Sequence, residues 1–203
     1  MKGLLKKDLI LLKQQKKYIL IILLITMVVA YGNPQSAFIS SYLTFLGSGL
    51  IFNSFSYDTY QNSLSYLLAL PFSKKDYIKE KYFYAGIVTI TFWLLGNLIS
   101  LIFNQFIISK ETLYSNLAIL IIAALYLSII IPIHMKYGRE KSSMIIIIIA
   151  LLISFIFIQF IDLKSISISI PLAFIMVGSL LIVIALCLFS YHKSISILNH
   201  KEL

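Results

Sequence analysis

The sequence predicts an all-α, polytopic membrane protein in which residues 1–203 form a single transmembrane domain with six membrane-spanning helices. Of its residues, 60% are apolar and only 12% are charged, against roughly 25% charged in an ordinary soluble domain. The charged residues crowd into short segments, and the stretches between these segments carry no charge. Lipid is therefore the expected surrounding of most of the chain.

Uncharged stretches of the chain provide the six predicted spans. A spanning helix needs about 20 residues to cross a hydrocarbon core of roughly 30 Å. Asn33 and Pro34 divide the longest stretch in two, because proline lacks an amide donor and disfavours helix in the residue before it. The predicted spans lie near 18–33, 37–56, 82–106, 113–134, 143–161 and 169–190.

The lysines and arginines predict the orientation of the chain. With the amino terminus inside, 15 of the 17 cations fall in inner segments and only Lys110 and Lys164 fall outside. Inner loops of membrane proteins carry such an excess of lysine and arginine. The isoleucine- and lysine-rich composition is typical of a low-GC bacterium. We therefore expect a multi-pass protein of a bacterial cytoplasmic membrane, with both termini in the cytoplasm.

The net charge of +9 does not indicate a nucleic-acid partner. A groove for nucleic acid combines lysine and arginine with aromatic side chains on a folded surface, whereas these cations lie beside apolar runs. The anionic headgroups of the lipid bilayer are their expected neighbours. The single cysteine, Cys187, lies in an apolar run and forms no internal disulfide.

The sequence offers no set of residues for catalysis, metal binding or nucleotide binding. It contains no G-x-x-x-x-G-K-[ST] motif, so it has no P-loop to hold the phosphates of a nucleotide. No Asp, Glu, Lys or Arg falls within a predicted span, whereas ion-coupled carriers usually keep an ionisable group there. His134, at the inner end of a span, is interpreted as an interfacial residue. We therefore expect neither an enzyme nor a secondary transporter.

Residues 2–17 form a predicted amphipathic helix that precedes the first span. Leu5, Leu9 and Leu12 share one helical face, whereas the lysines project elsewhere. Such a helix lies along the inner leaflet of the membrane. Alternatively, the lysines only orient the first span, and the sequence leaves both interpretations open.

The segment 57–81 is the most structured part expected outside the spans. Leu64, Leu67 and Leu68 mark one face of a short helix that Pro71 ends. These leucines need a surface to cover them. The sequence leaves open whether they dock on a partner protein or pack within the chain and its headgroup region.

A second helix is predicted to begin directly after this short one. Ser73 and Asp76 form the S-x-x-D pattern of a capping box. The helix that starts there is expected to continue through Tyr77 and Tyr82 into the third span.

Polar and small residues also occur within the predicted spans. Asn53 and Asn97 either line a path through the protein or hydrogen-bond between helices, which is the commoner use. Gly47 and Gly96 permit two helices to approach closely. Some of these residues are candidates for a seam between two copies of the chain.

Separated pieces of the sequence resemble the short permeases of the type-2 ABC transporter membrane family. They are the opening M-K-G-L-L-K-K-D-L-I-L-L, a Ser-Tyr-Asp turn at 56–58, and L-P-F-S-K-K-D-Y-I-K-E-K-Y at 70–82. The length, the six spans and an inner loop at 132–141 agree as well. Lys74 and Asp76 occupy positions at which the family more often has arginine and glutamate. Residues 79–81 depart from the spacing of small residues that is typical of the family.

The resemblance implies a permease whose ATPase is a separate polypeptide. In this family a coupling helix, here Tyr60–Leu70, docks in a groove of a cytoplasmic ABC ATPase subunit, and the 136–141 loop makes a second contact. ATP and Mg²⁺ would bind that partner, and this chain is expected to bind no cofactor. A second permease, identical or related, would complete the transporter. The residues expected to couple to the ATPase are Tyr60, Leu64, Tyr66, Leu67, Leu68, Leu70, Lys136 and Arg139.

The resemblance also suggests a class of substrate. Similar short permeases include exporters of amphipathic cytolytic peptides such as phenol-soluble modulins. Because the predicted spans carry no charge, an amphipathic peptide is the first expectation, and a drug or a lipid is the alternative. A membrane protein that confers immunity or senses a peptide without transporting it is the competing class.

Overall fold

The computed structural model describes residues 2–32, 36–59, 63–68, 72–103, 110–160 and 172–200, and all of its regular structure is helical. The all-α prediction is confirmed for this part of the chain. The helices are α1 Lys2–Gln14, α2 Lys16–Gly32, α3 Ser36–Gly49, α4 Ile51–Thr59, α5 Ser63–Leu68, α6 Lys74–Phe103, α7 Lys110–Phe160 and α8 Leu172–Asn199.

Four helical segments of the described chain are long and apolar enough to cross a membrane, and a fifth crossing arises if the bent pair of α1 and α2 counts as one. The two helices of this pair meet at 60°. The number of six spans therefore stays a prediction. The four segments are Phe38–Asp58, Lys74–Phe103, Thr112–Gly138 and Val177–Asn199.

Helix α7 consists of two helices joined at Gly138. The φ of 72° at this residue lies in the left-handed region that glycine adopts at little cost. The chain around it is otherwise helical, and Pro132 lies inside the first of the two helices. The inner loop predicted at 132–141 contains this break, but the residues on both sides of Gly138 are helical. The predicted span 143–161 falls largely on the second helix.

Helix α6 begins at the predicted capping box. The Ser73 hydroxyl oxygen accepts a hydrogen bond from the Asp76 amide at 3.1 Å, and the Asp76 carboxylate accepts one from the Ser73 amide at 3.2 Å. These two bonds satisfy amide donors that the helix start would leave free. The helix then continues without a break to Phe103, so the predicted continuation into a span is confirmed.

Helices α3 and α6 pack closely because glycines face the contact. A Cβ atom at Gly47 would lie 2.2 Å from the Phe92 ring, and one at Gly96 would lie 2.9 Å from the Cα atom of Ser40. The predicted close approach at these two glycines is confirmed, and both are used within the chain.

Helix α1 and the last turns of α8 lie at one end of the bundle, which we call the charged end. At this end α1 contacts the beginning of α6, and the Lys74 ammonium donates to the backbone oxygen of Leu198 in α8 at 3.0 Å. The Tyr82 hydroxyl also lies 3.0 Å from that of Ser194. The first helix and the end of the last helix therefore both contact the beginning of α6.

The outward faces of α2 and α8 are apolar and exposed. Val28 and Tyr31 on α2, and Leu181 and Phe189 on α8, are among the most exposed large side chains of the described chain. Exposed apolar surface of this extent is typical of contact with lipid or with another protein. The two helices therefore form the lipid-facing or partner-facing sides of the bundle.

Candidate functional site: a buried charge network

Three helices bring opposite charges together inside the charged end. The Lys81 ammonium on α6 lies 2.5 Å from a carboxylate oxygen of Asp8 on α1 and 2.7 Å from one of Asp58 on α4. These residues are far apart in the sequence, so the fold alone creates the contact. The network ties the first helix of the chain to the segments on both sides of α5.

Further side chains complete the network. The Lys7 ammonium lies 3.1 Å from Asp8 and also pairs with Asp58. The Tyr77 hydroxyl donates to Asp58 at 3.0 Å, and the Lys81 ammonium donates to the Ser54 hydroxyl. Two ammonium groups therefore balance two carboxylates, and the cluster as a whole is neutral.

The network is buried. Asp8 and Lys81 are 0% exposed and Asp58 is 3% exposed. Removing such charges from water costs several kcal/mol for each ion, and the cost is offset only by close pairing and additional hydrogen bonds. The ion pairs above supply the close pairing, and the Tyr77 hydroxyl supplies an additional hydrogen bond to Asp58. Loss of one member would leave a charge buried without its full set of partners.

Aromatic rings surround the Lys81 ammonium. It lies 5.2 Å from the centroid of the Phe55 ring and 5.4 Å from that of Tyr77. Both distances are within the range of a cation–π interaction. The ring of Phe55 also stacks on His134 of α7, with centroids 6.1 Å apart. The cluster therefore reaches a fourth helix.

The helix α1 lies outside the four spanning segments, and its two ionisable members of the network keep their charge. Burial alone would raise the pKa of Asp8, but Lys81, Lys7 and the Ser54 hydroxyl lower it below its ordinary value of 3.8. Burial alone would lower the pKa of Lys7, but the carboxylates of Asp58 and Asp8 raise it above its ordinary value of 10.5. Both groups are charged at neutral pH.

Glu80 is a buried carboxylate beside the network. It is 1% exposed, and within the described part of the chain neither of its oxygens has a hydrogen-bond partner. The neighbouring residue Lys81 directs its own ammonium to Asp8 and Asp58.

The residues predicted to couple to an ATPase are only partly brought together. On α5, Leu64 is 6% exposed and belongs to the main apolar core, Leu67 packs against that core, and Tyr66 is 77% exposed. Lys136 is exposed on α7. Tyr60 and Leu70 lie outside the described residues, and for Leu68 and Arg139 only the backbone is described.

Three interpretations of individual residues differ from the structure. His134 is buried, not interfacial, and its Nδ1 lies 2.5 Å from the Ser142 hydroxyl. The Ser-Tyr-Asp sequence at 56–58 is part of α4 rather than a turn. On α1 the buried face contains Leu4 and Asp8, whereas Leu9 is exposed.

Sequence reasoning missed Asp8. A signal was present, because Asp8 is the only acidic residue in 2–17 and lies one helical turn from Leu4 and from Leu12. An acid in line with two leucines on an otherwise basic helix indicates a buried partner of positive charge.

The polar residues of the spans join helices. The Asn53 amide donates to the Gln15 side-chain oxygen at 3.0 Å, and the Ser40 hydroxyl lies 3.5 Å from the Asn97 side-chain oxygen. The Trp93 indole donates to the backbone oxygen of Asn116 at 2.9 Å. At Asn53 the hydrogen bond joins α4 to the residue between α1 and α2, so it links two segments of the chain, as in the commoner of the two predicted uses.

These features define a multi-pass, all-helical membrane protein whose charged end holds a neutral cluster of ion pairs. A family model described as ABC-2 family transporter protein matches residues 3–199. The chain belongs to this family and is a permease subunit of an ABC transporter. The comparison with curated proteins and the comparison with solved structures found no match.

Proposed function

We propose that this chain is the permease of an ABC exporter that moves an amphipathic or apolar substrate out of the cell with energy from a separate cytoplasmic ATPase subunit. A second permease, identical or related, completes the membrane part. The observation that carries the proposal is the charge network, because it joins α4 and α6, which flank the coupling segment, to α1 in a chain of this family.

The ATPase docks on the exposed side of α5. Leu64 is held by the core of the chain itself, so the contact surface is the opposite side of the helix, where Tyr66 projects. Tyrosine supplies a large apolar ring with a polar hydroxyl, and such side chains are enriched at the centres of interfaces. The contact predicted for the 136–141 loop is a second part of the same docking surface.

Movement of α5 is transmitted through the ends of its two neighbours. Asp58 ends α4 and Lys81 lies in the first turns of α6, and their ion pair at 2.7 Å holds these ends together. A push on α5 therefore displaces α4, α6 and the attached α1 as one unit. ATP-driven closure of the ATPases in this way rocks the spans and alternately opens a central cavity.

An amphipathic peptide is the first choice of substrate, and a drug or a lipid is the second. The mean hydropathy of the spanning segments is 1.2 to 2.5, and the described Asn53 side chain is engaged with Gln15, between α1 and α2. A cavity between such helices favours substrates with apolar surface over charged substrates.

Copurification of an ATPase tests the docking surface. The chain is co-expressed with the ABC ATPases of its own genome, and Tyr66→Asp is compared with the matched variant Tyr66→Phe. We expect Tyr66→Asp to lose the ATPase while it remains in the membrane with unchanged thermal stability, and Tyr66→Phe to retain it. Full retention of the ATPase by Tyr66→Asp would place the docking surface elsewhere.

The same experiment distinguishes a transporter from an immunity or sensor protein. Absence of any copurifying ATPase would favour the non-transporting class. When an ATPase is found, its hydrolysis rate in proteoliposomes is measured with amphipathic peptides and with apolar drugs. Stimulation by peptides alone supports peptide export, and stimulation by drugs alone assigns the second class of substrate.

A further inference from the structure

A cavity of about 320 Å³ lies between α7 and α8 and is separate from the charge network. Its walls are apolar and come from both helices, with Ile129, Pro132 and Ile133 on α7 and Leu186 and Phe189 on α8. Its volume is in the range of cavities that hold small ligands.

The polar groups in the floor of the cavity are already engaged. The Ser190 hydroxyl donates to the backbone oxygen of Ser128, which ties α8 to α7, and also pairs with the Tyr82 hydroxyl at 2.5 Å. A ligand in this part of the cavity therefore finds mainly carbon atoms, and only an apolar group gains by entering it.

Two ammonium groups lie at one end of the cavity. Lys136 follows the apolar residues of α7 by about one turn, and Lys193 follows those of α8 by the same interval. Their ammonium groups lie 5.1 Å from the Tyr137 ring centroid and 5.8 Å from that of Phe189. Within the described side chains, neither lysine makes an ion pair with a carboxylate.

The cavity therefore combines apolar walls with two positive charges, which are the features that bind an anionic amphiphile. We propose that it binds an anionic membrane phospholipid, with one acyl chain between α7 and α8 and the phosphate between Lys136 and Lys193. Basic pockets between helices at the membrane surface bind such headgroups. From Leu186 to Lys193 the apolar wall is about 10 Å long, enough for the upper part of an acyl chain.

The position of the cavity favours a lipid of the surrounding membrane. Leu186 and Phe189 are exposed at its side and continue into the exposed apolar face of α8, which includes Leu181. An acyl chain can enter along this face without leaving the apolar surface. A free phosphate would contact only the two ammonium groups and leave the apolar walls uncovered.

Lipid titration of the purified chain by native mass spectrometry tests the proposal. Dissociation constants are measured for phosphatidylglycerol and for phosphatidylcholine with equal chains. We expect the native chain to bind phosphatidylglycerol more tightly than phosphatidylcholine. The affinity for phosphatidylglycerol should fall about fivefold in Lys193→Gln and about 30-fold in the double variant Lys136→Gln with Lys193→Gln. The control is Lys75→Gln with Lys141→Gln, since both residues are exposed lysines outside the cavity. Unchanged phosphatidylglycerol affinity in the cavity variants would overturn the proposal.

Two further measurements distinguish binding of the whole lipid from binding of its headgroup alone. Leu186→Trp fills the apolar part and is expected to weaken phosphatidylglycerol binding, whereas Leu181→Trp on the outer face of α8 is not. Glycerol 3-phosphate is expected not to displace the lipid. Displacement by glycerol 3-phosphate, or equal effects of the two tryptophans, would contradict an acyl-chain site.

Because Lys136 also belongs to the predicted ATPase contact, the single variant Lys193→Gln separates lipid binding from ATPase docking. Lys193 is not among the residues assigned to the ATPase contact, so Lys193→Gln is expected to retain the copurified ATPase while it loses lipid affinity. Lipid binding is measured on the isolated permease, and failure of one proposal therefore leaves the other intact.

Discussion

The Lys81 ammonium lies 2.5 Å from a carboxylate oxygen of Asp8, although the two residues are 73 positions apart in the sequence. This contact fixes α1 to the beginning of α6 at a place that water does not reach. An interfacial helix held only by lipid would slide along the membrane surface, whereas α1 is attached to the bundle at a defined position.

Replacement of Asp8 by asparagine is expected to destabilise the protein strongly. The change leaves the buried Lys81 and the half-buried Lys7 with one carboxylate, that of Asp58, between them. Breaking a buried pair in this way typically costs about 3–5 kcal/mol. Unfolding in detergent measures the loss, and limited proteolysis reports release of α1. Lys13→Gln, at an exposed position of the same helix, is the control, and equal stability of the two variants would contradict a structural role for Asp8.

A double-mutant cycle is expected to show that Asp8 and Lys81 act together. The free energies of unfolding of Asp8→Asn, Lys81→Gln and the double variant should give a coupling energy of about 1–3 kcal/mol, as found for contacting residues. Lys74 lies on the same helix but donates to Leu198. The cycle of Asp8→Asn with Lys74→Gln should therefore be additive, and coupling of similar size in both cycles would argue against a specific pair.

Gly47→Ala is expected to weaken the packing of α3 on α6. The added methyl group would lie 2.2 Å from the Phe92 ring, whereas nothing lies within 4 Å of a Cβ atom at Gly49. Overpacking costs typically about 1–3 kcal/mol, whereas a methyl group at Gly49, the last residue of α3, meets no such obstruction. Thermal unfolding should therefore show a clear loss of stability for Gly47→Ala and none of similar size for Gly49→Ala. An equal loss in both would contradict the close contact.

The contributions of Asp8 and Lys7 to stability are expected to be lost only outside the neutral pH range. The pKa of Asp8 is lowered from 3.8, so its stabilising effect is present above that value and is lost as the pH falls towards the folded-state pKa. The pKa of Lys7 is raised from 10.5, so its effect is present below that value and is lost as the pH rises through the folded-state pKa.

The difference in unfolding free energy between the native chain and Asp8→Asn measures this dependence. It should shrink on the acid side, where Asp8 takes up a proton in the folded state. A large change within the neutral range would mean that a group other than these two controls the contact.

Local patterns were read correctly where neighbouring residues determine the structure. The capping box of Ser73 and Asp76 spans four residues and requires only the backbone of one helical turn. The glycines Gly47 and Gly96 were recognised because a missing side chain always permits close approach. Uncharged length likewise indicated the apolar helices.

Contacts between distant segments could not be derived in the same way. The leucine spacing of α1 predicts a buried face that leaves out Asp8, and no local rule pairs position 8 with position 81. The burial of Leu64 depends on how α5 folds back against the core. The sequence around His134 predicts a surface residue, whereas in the structure its ring stacks on Phe52, with ring centroids 4.4 Å apart.

Helix α6 is continuous from Lys74 to Phe103, so a movement at its first residue tilts the whole helix. The helix is anchored against Ser40 at Gly96, and from there to its first residue it measures about 33 Å. A tilt of about 5° around that anchor would carry Lys74 through about 3 Å. A movement of about 3 Å at the first residue of α6 is thus sufficient to tilt the whole helix.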